Sequence, residues 1–293
     1  MQQKKIAVIT GSSSGIGFET SLLFARNGFY TYATMRNVDK SSKIKEDIAK
    51  GGGVDDYNLS LEVLQLDVTD DKSIKDAINM IIEKQKRIDV VVNNAGYGST
   101  GAVEDFSIDE IKTQFETNFF GAIRVIQSVL PIMRKQMSGI IVNISSIGGR
   151  IAFPFSPSYA STKFALEGLS EALQYEIDQF GIRVILIEPG IIKTNFLDNI
   201  KMAKKAADPN SPYSKLLQRR IKRVKSMFEN GTSPEEVAKV IFKAVTTVDD
   251  NNKQKPGLRY IIGGDANSLI EKRKSMSEIE FLKYMRKNIL GPI

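Results

Sequence analysis

The chain has 293 residues, of which 42% are hydrophobic and 26% are charged, an ordinary balance for a folded globular protein. It contains no cysteine and no histidine. Their absence excludes disulfide bonds, zinc sites built on those two ligands, and catalytic triads or dyads that use histidine. We therefore predict no metal site, and we expect any chemistry to use tyrosine, lysine, serine, threonine, asparagine, arginine or carboxylates.

The net charge of +7 arises from one part of the chain, residues 201–225, which we call the basic segment. This segment has one acid, Asp208, and nine basic residues, so it carries +8 and the rest of the chain carries −1. The basic residues are Lys201, Lys204, Lys205, Lys215, Arg219, Arg220, Lys222, Arg223 and Lys225.

The sequence shows no pattern typical of export or of a membrane span. Residues 1–5 are followed by only four apolar residues, Ile6–Ile9, whereas a signal peptide needs about seven or more. No apolar run approaches the roughly 18 residues of a membrane-spanning helix. We therefore expect a cytoplasmic protein.

Short apolar runs alternate along the chain with stretches of helical periodicity. Predicted strands cover residues 6–9, 29–35, 63–66, 88–92, 139–144, 184–187 and 260–262, and predicted helices cover 16–26, 38–50, 73–86, 111–137, 159–180 and 234–245. Near-continuous apolar strands that alternate with helices are typical of a parallel sheet covered on both faces. We predict an α/β fold with a Rossmann-type doubly wound parallel sheet of about seven strands.

The alternation continues unbroken to about residue 190, which favours a single domain over residues 1–293. Residues 195–230 interrupt the pattern and are predicted to be an insertion that forms a lid over the substrate. Residues 265–293 are polar and are predicted to be a C-terminal tail.

A glycine-rich segment joins the first predicted strand to the first helix. Residues 10–17 are Thr-Gly-Ser-Ser-Ser-Gly-Ile-Gly. Glycines at these positions let the backbone turn tightly and approach a pyrophosphate, which a helix N-terminus then binds. The alternative is a plain glycine-rich turn, but the strand before it and the helix after it favour a dinucleotide site.

Tyr159 and Lys163 are four residues apart in a predicted helix and so share one face. Tyrosine titrates near ~10, and a neighbouring ammonium group stabilises the phenolate. Lowering the tyrosine pKa by about 3 units would require about 4 kcal/mol, which a partly desolvated pair supplies. The alternative is an exposed tyrosine beside an exposed lysine.

These features belong to a set of six motifs that occur in order: residues 10–17, Asn93-Asn94-Ala95-Gly96, Asn118, Ser146, Tyr159 with Lys163, and Pro189-Gly190 with Thr194. Together they resemble the short-chain dehydrogenase/reductase family, over residues 5–196 without a break and on to about residue 263. Tyr-Ala-Thr-Met-Arg at 32–36, Leu-Gln-Leu-Asp at 64–67 and Lys-Phe-Ala-Leu-Glu-Gly at 163–168 are most similar to its 17β-hydroxysteroid and retinol dehydrogenase branch.

The resemblance implies a four-residue active site. Tyr159 would exchange a proton with the substrate oxygen, and Ser146 would polarise that oxygen. Lys163 would hold the nicotinamide ribose and lower the tyrosine pKa, and Asn118 would hold a water that relays protons from the lysine. The spacing of thirteen residues to the tyrosine selects Ser146 over its neighbour Ser145. The alternative for Asn118 is a buried amide whose hydrogen bonds are all satisfied.

The resemblance also implies the residues that bind the cofactor, and they fall at the ends of the predicted strands. They are Gly11, Ser13, Ser14, Gly15, Ile16, Gly17, Arg36, Asp67, Val68, Asn94, Ala95, Gly96, Tyr159, Lys163, Pro189, Gly190, Ile192 and Thr194. Asp67 would hold the adenine edge, although it also suits a turn or helix cap in Asp-Val-Thr-Asp-Asp.

The end of the second predicted strand indicates which nicotinamide cofactor is used. An acid there would bind the ribose 2′-hydroxyl and repel a 2′-phosphate, but the position is Met35, followed by Arg36. Arginine suits a phosphate because its donors form a fixed fork, and Ser14 could add a hydroxyl. We predict NADP(H) over NAD(H); the alternative is that Arg36 is a solvated loop residue.

The expected reaction is hydride transfer between NADP(H) and a carbonyl/alcohol pair on an apolar small molecule. Phe153 and Phe196, with Ser146 and Tyr159, are the predicted substrate-contacting residues, although the two phenylalanines could equally pack the core. The family resemblance further implies a homodimer or homotetramer formed through the long helices near 108–137 and 157–180. The alternative function is a non-catalytic protein that senses NADP(H).

The basic segment allows four interpretations. Leu217, Ile221, Val224 and Phe228 recur at helical spacing, which predicts an apolar stripe opposite a basic face. We rank a substrate lid first, followed by peripheral membrane contact through residues 214–229 and by a solvated face on a core-packed helix. We predict no nucleic-acid binding, because no base-stacking aromatic residues are interleaved.

Overall fold

The predicted apolar runs form the strands of the computed structural model, which describes residues 3–42, 44, 46, 59–247 and 257–291. The strands are β1 (Ile6–Ile9), β2 (Tyr30–Met35), β3 (Leu61–Gln65), β4 (Val90–Asn93), β5 (Ser99–Thr100), β6 (Gly139–Ile144), β7 (Ile182–Pro189), β8 (Lys201–Met202) and β9 (Arg259–Ile262). Within the described residues, seven of them form one parallel sheet in the order β3-β2-β1-β4-β6-β7-β9, and β5 pairs with β8. The predicted doubly wound parallel sheet is confirmed.

Helices cover both faces of this sheet. They are α1 (Gly15–Arg26), α2 (Asp71–Gln85), α3 (Ile108–Phe115), α4 (Gly121–Gln136), α5 (Pro157–Ile177), α6 (Ser214–Glu229), α7 (Pro234–Thr246), α8 (Gly264–Ser275) and α9 (Glu278–Leu290). One face packs against α2, α4 and α5, and the other against α1 and α7. Among the helices described, none combines the length and apolarity needed to cross a bilayer.

The strands are apolar throughout because both of their faces are buried. Val8 lies in the core on one side of the sheet and Ile9 in the core on the other, and both are fully buried. Such a strand does not show the alternation of polar and apolar residues that is typical of a sheet with one solvent-exposed face. This explains why the sequence shows uninterrupted apolar runs.

The chain order of the sheet creates a crevice at one edge. β1 lies between β2 and β4, so the crossover helices leave it on opposite faces. At such a switch point the loops that follow the strands diverge and leave room for a ligand. The glycine-rich turn follows β1, and residues 94–96 follow β4, so both lie at this crevice.

Two predicted helices differ from the structure. The predicted helix over 111–137 is interrupted by a π-helical segment, Glu116–Phe120, between α3 and α4. The predicted helix over 38–50 begins in the structure with a 3₁₀ turn at Val38–Ser41, and residues 42, 44 and 46 are helical. Residues 43, 45 and 47–50, together with the glycines at 51–53 that were expected to end it, lie outside the described residues.

The C-terminal segment that was expected to be a polar tail contains the helices α8 and α9. Their apolar residues pack against Ile147 and Ile151, in the loop that precedes α5. In α9 the buried residues recur every four positions among charged neighbours; they are Phe281, Met285 and Ile289. The segment is polar on average, although one face of the helix is apolar. Ser277 and Glu280 cap its N-terminus reciprocally.

We predict that Phe24→Ala destabilises the protein by about 3–5 kcal/mol, since it removes a large side chain from a close-packed core. Phe24 is fully buried, with ring centroids 4.9 Å from Phe29 and 5.3 Å from Phe242. Urea unfolding would measure the loss. Val103→Ala, at a position that is 69% exposed, should change stability by less than about 0.5 kcal/mol, and equal effects of the two changes would contradict this packing.

Candidate active site

The glycine-rich turn between β1 and α1 is shaped by two close backbone contacts. Gly11 and Gly15 have φ values of 68° and 59°, which side chains rarely allow. A Cβ on Gly11 would lie 2.8 Å from the Ala95 Cα, and one on Gly17 would lie 2.6 Å from the Gly11 carbonyl oxygen. The turn therefore admits no side chain at Gly11 or Gly17, because atoms of Asn94, Ala95 and Gly11 itself fill that space.

The end of α1 that follows this turn suits an anion. The first turn of the helix contains no acidic residue, and its N-terminal N–H groups carry partial positive charge. Ser14, the N-cap residue, is exposed, and its side chain makes no capping hydrogen bond. The turn and the helix end together form a cradle that fits a pyrophosphate.

Asn94 supports the turn from the neighbouring strand. Its Nδ2 donates to the carbonyl oxygens of Thr10 at 2.9 Å and Gly11 at 3.0 Å. The Thr10 hydroxyl accepts from the backbone N–H groups of Asn94 and Ala95 at 3.0 and 3.1 Å. The contacts observed for Asn94 therefore hold the glycine-rich turn in place, and contact of Asn94, Ala95 and Gly96 with the cofactor remains a prediction.

The loop after β7 lies against the same turn. A Cβ on Gly15 would lie 3.2 Å from the Thr194 Cγ2, so this loop reaches the start of α1. Gly190 leaves no room for a side chain, because the carboxylate of Asp265 lies against it. Asp265 also accepts a hydrogen bond from the Ile191 N–H at 2.9 Å. The sequence analysis missed Asp265, which lies 74 residues from Ile191.

Arg36 and Asp67 lie at the carboxyl ends of β2 and β3. Arg36 is exposed and directly follows β2, next to the β1 end that carries Ser14. Asp67 accepts hydrogen bonds from the Thr69 N–H at 2.9 Å and the Thr69 hydroxyl at 2.8 Å. One oxygen of Asp67 thus closes a turn, which is the alternative that the sequence left open, while Val68 is buried and packs against Gly121.

Three of the four predicted catalytic residues meet at the end of β6. Ser146 follows this strand, shares a hydrogen bond with the Tyr159 hydroxyl and accepts from the Gly148 N–H at 3.0 Å. Lys163 lies one turn after Tyr159 on α5, with Nζ 5.8 Å from the centre of the tyrosine ring. Ser145 is buried, and its hydroxyl has no hydrogen-bond partner among the described residues. The tyrosine hydroxyl thus contacts Ser146 and not Ser145.

Asn118 lies in the π-helical segment, and its side chain is fully engaged. Its Oδ1 accepts from the Tyr97 N–H at 3.0 Å, and its Nδ2 donates to the Tyr97 carbonyl at 2.9 Å and to the Thr162 hydroxyl at 3.3 Å. The amide is therefore a satisfied buried group, the alternative raised from the sequence. Its side chain positions Tyr97, a residue that the sequence analysis did not select.

Burial controls the pKa values of the catalytic pair. The pKa of Tyr159 is raised by desolvation, with a smaller lowering from its hydrogen bond to Ser146. Desolvation lowers the pKa of Lys163 to about 8, and the charge of Glu167 opposes that shift. Lys163 Nζ donates to the Ile144 carbonyl at 2.7 Å and not to the tyrosine hydroxyl. Burial dominates the pKa of Tyr159 in this arrangement, and the expectation that Lys163 lowers the tyrosine pKa stays a prediction.

A buried charge cluster lies behind Lys163 and was missed by the sequence analysis. Glu167, one turn after Lys163, accepts from the Arg259 Nε at 2.9 Å. Glu188, which is fully buried on β7, accepts from Arg150 at 3.0 Å. Burial raises the pKa of Glu188, and the nearby Glu167 charge raises it further. The only sequence signal was an acid four residues after the catalytic lysine and another directly before Pro189.

The predicted substrate residues separate in the structure. Phe196 packs against Tyr159 with ring centroids 6.0 Å apart, whereas Phe153 packs against the cluster formed by α8 and α9. A Cβ on Gly98 would lie 3.0 Å from the Phe196 ring, so residues 97–98 form another wall beside Tyr159. The structure thus places Phe196 at the site and Phe153 in a core cluster.

We predict that Lys163 makes the protein more stable as pH rises above about 8. Its folded pKa is about 8 against an ordinary 10.5, so the unfolded chain binds more protons between these values. Stability should then rise by up to about 1.4 kcal/mol per pH unit. Tyrosines with a raised pKa lower the stability as the pH rises above about 10. The increase due to Lys163 is therefore expected only below about pH 10.

Urea unfolding between about pH 7.5 and pH 9.5 would measure this slope. Lys163→Met should remove it, and Lys72→Met, which changes an exposed lysine on α2, should preserve it. Identical slopes in the native chain and in Lys163→Met would contradict the burial of this charge.

Comparison with known proteins agrees with this geometry. The family model described as short chain dehydrogenase matches residues 5–205. A 3-ketodihydrosphingosine reductase of Bacteroides thetaiotaomicron is 36% identical, over 96% of this chain and 96% of its own length. Retinol dehydrogenase 8 of Bos taurus is 34% identical, over 87% of this chain and 82% of its own.

Among solved structures, ElxO with NADP bound is 31% identical and superposes with a TM-score of 0.70, covering 91% of this chain and 100% of its own. The family model spans more than half of the chain, and the relatives cover nearly all of it. The chain therefore belongs to the short-chain dehydrogenase/reductase family of oxidoreductases and is related to its retinol dehydrogenases.

Proposed function

We propose that the protein is an NADP(H)-dependent oxidoreductase that interconverts a carbonyl and an alcohol on an apolar substrate. The hydrogen-bonded pair of Tyr159 and Ser146 carries this proposal. The pair lies beside Lys163, at the same edge of the sheet as the glycine-rich turn. A proton donor beside a dinucleotide cradle is what a carbonyl reduction requires.

The residues that would hold the cofactor fit a dinucleotide. The cradle at Gly11 and Gly17 has no space for a Cβ, and the start of α1 supplies N–H groups for the pyrophosphate. Thr194 closes the cradle from the loop after β7. When bound there, the nicotinamide supplies or accepts the hydride.

Tyr159 would give its proton to the substrate oxygen during reduction, while Ser146 donates a hydrogen bond to that oxygen. Burial raises the pKa of Tyr159, so the phenol is protonated at neutral pH. Release of its proton would then require a group that stabilises the phenolate. Lys163, with a pKa of about 8, is mostly charged at neutral pH and would stabilise the phenolate that remains. Asn118 would hold the water that relays protons through its main-chain carbonyl, which accepts a hydrogen bond, since its side chain is engaged.

The preference for NADP(H) rests on Arg36 and Ser14. Both are exposed at the ends of adjacent parallel strands, so a guanidinium and a hydroxyl face the same edge. A 2′-phosphate would gain a charge-assisted hydrogen bond from the arginine. The NADP bound to the related ElxO supports this choice.

An apolar substrate is supported by the walls near Tyr159. Phe196 and residues 97–98 supply aromatic and apolar surface. Residues 195–230 would act as a lid, since Phe196 belongs to this segment and β8 pairs with β5 next to the site. The names of the two relatives, a ketodihydrosphingosine reductase and a retinol dehydrogenase, support a carbonyl–alcohol reaction.

A homo-oligomer formed through α3, α4 and α5 is also part of the proposal. These elements and the π segment between α3 and α4 expose large apolar side chains, namely Ile108, Phe120, Phe164 and Tyr175. Exposed apolar side chains grouped on neighbouring helices are typical of subunit interfaces.

We expect Tyr159→Phe to lower kcat by about 10²- to 10⁴-fold, because it removes the proton donor and keeps the ring. NADPH oxidation with a panel of aldehydes and ketones, from short aliphatic to steroid-sized, would measure this. Tyr175→Phe on the same helix, 78% exposed, is the matched control and should keep full activity.

Tight NADPH binding without turnover on any substrate would instead favour the sensing alternative. Full activity of Tyr159→Phe would overturn the tyrosine mechanism even if the native chain is active.

We expect Arg36→Gln to raise the KM for NADPH about tenfold or more and to leave the KM for NADH unchanged, since one charge-assisted hydrogen bond is lost. Lys40→Gln, at an exposed position four residues along the chain, should change neither value. Steady-state kinetics would measure the KM values for NADPH and NADH in each variant. A preference of the native chain for NADH would refute the role given to Arg36.

A further inference from the structure

The structure divides the cations of the basic segment into an inward and an outward group. Lys201 lies over the Tyr97 ring, with Nζ 4.4 Å from its centre. Arg220 is buried and donates to the Thr100 hydroxyl at 2.9 Å and to the Ser156 hydroxyl at 2.6 Å. Arg220 therefore faces the interior and is unavailable to an outside partner, whereas Lys201 is exposed and lies against the Tyr97 ring.

The exposed cations of the segment that lie on α6 form a surface that we call the basic face. It consists of Lys215, Arg219, Lys222, Arg223 and Lys225, all exposed. The only acid in α6 is Glu229, at its last position. The apolar stripe predicted for this helix faces inward, where Leu217 and Ile221 pack near Phe155.

α9 packs beside α6 and borders the basic face. An open groove of about 590 Å³ separates them, lined by Arg219, Lys222, Arg223 and Ser226 from α6 and by residues 289–291 from the end of α9. The cations of the basic face therefore lie next to the outer surface of α9.

The outer surface of α9 carries two exposed apolar residues, Ile279 and Leu282. Ile279 lies between the exposed acids Glu278 and Glu280, and Leu282 is followed by the exposed base Lys283. Phe281, Met285 and Ile289 are buried. The residues directly after these three form the next row along the helix surface; they are Leu282, Arg286 and Leu290. Leu290 lines the groove, which places this row on the side of the basic face. Ile279 and Leu282, three residues apart, are 66% and 62% exposed.

We propose that the basic face of α6 and the exposed pair Ile279 and Leu282 of α9 dock the protein on an anionic lipid bilayer. Lysine and arginine next to exposed branched apolar side chains match a membrane interface, where headgroups take the charges and the acyl boundary takes the apolar groups. This docking is independent of the reaction proposed above, and it assigns a partner to a surface that the reaction does not use.

Other occupants fit the surface less well. A nucleic acid would pair with the cations but would leave Ile279 and Leu282 without a partner. The large exposed aromatic side chains of the described residues, Phe120, Phe164 and Tyr175, lie outside α6 and α9, so the surface lacks stacking groups. A second copy of the chain would oppose the same positive face to itself across a two-fold axis.

Docking through this surface would bring the bilayer near the substrate site. Arg220, on the inward side of α6, bonds to Ser156, which lies three residues before Tyr159. The same helix thus faces lipid on one side and the start of the catalytic helix on the other.

Sedimentation of the full chain with vesicles tests the proposal without any turnover. Binding is expected to phosphatidylcholine vesicles that contain phosphatidylserine and to be weak with phosphatidylcholine alone, and added salt should weaken it. The triple change Lys222→Gln, Arg223→Gln and Lys225→Gln should reduce binding at least about tenfold. The matched triple change Lys75→Gln, Lys135→Gln and Lys239→Gln removes exposed cations from other helices and should leave binding unchanged.

The absence of tryptophan from the chain allows a second measurement. Leu282→Trp introduces a single fluorophore at the proposed contact, and its emission should shift to the blue on anionic vesicles as the ring enters the interface. Val103→Trp, at another exposed apolar position, should show no shift.

Three results would overturn the proposal: equal binding to neutral and anionic vesicles, equal loss in the two triple variants, or sedimentation without a shift at Leu282→Trp. Heparin binding of the same strength, lost in the same variant and with no fluorescence shift on vesicles, would assign the basic face to soluble polyanions instead.

Discussion

The close approach of two backbones at the switch point of the sheet is the contact on which the rest of the site depends. Gly11 meets the segment after β4 with no space for a side chain, and Asn94 ties the two together through the Thr10 and Gly11 carbonyls. This contact holds the glycine-rich turn open at the start of α1. It also holds residues 94–95 in place, and Asn118 holds Tyr97 two residues further on. The cofactor cradle and one wall of the substrate site thus share a single support.

Electrostatics in the interior link the catalytic lysine to parts of the chain that lie outside the recognised motifs. Lys163 is buried, and burial alone would favour its neutral form. Glu167 supplies an opposing charge one helical turn away, and Arg259 and Arg150 in turn hold Glu167 and Glu188. The cluster joins α5, β7, β9 and the loop after β6. The charge state of the lysine is therefore a property of the packed domain and not of the Tyr-x-x-x-Lys motif alone.

α6 connects the active site to the outer surface because its two sides differ in chemistry. Its inward side packs Leu217 near Phe155 and fastens Arg220 to Ser156 and Thr100. Arg220 is buried, and desolvation lowers its pKa to about 10. Its guanidinium group is held by hydrogen bonds to the hydroxyls of Thr100 and Ser156. The outward side carries exposed cations. α6 thus lies between the exposed cations and Ser156, the residue that precedes the catalytic helix.

The sequence by itself determined the fold class and the local part of the site. Apolar runs and helical periodicity are set by neighbouring residues, and so are the glycine-rich turn and the four-residue spacing of Tyr159 and Lys163. The predicted tail of residues 265–293 differs from the structure, because the apolar face of α9 finds its partner in a loop more than a hundred residues earlier. Only the tertiary structure brought Asp265 against Gly190, Glu188 near Glu167, and Arg220 into the interior. Contacts of this kind join residues that are distant along the chain, and burial then decides their charge, so no local pattern in the sequence could have revealed them.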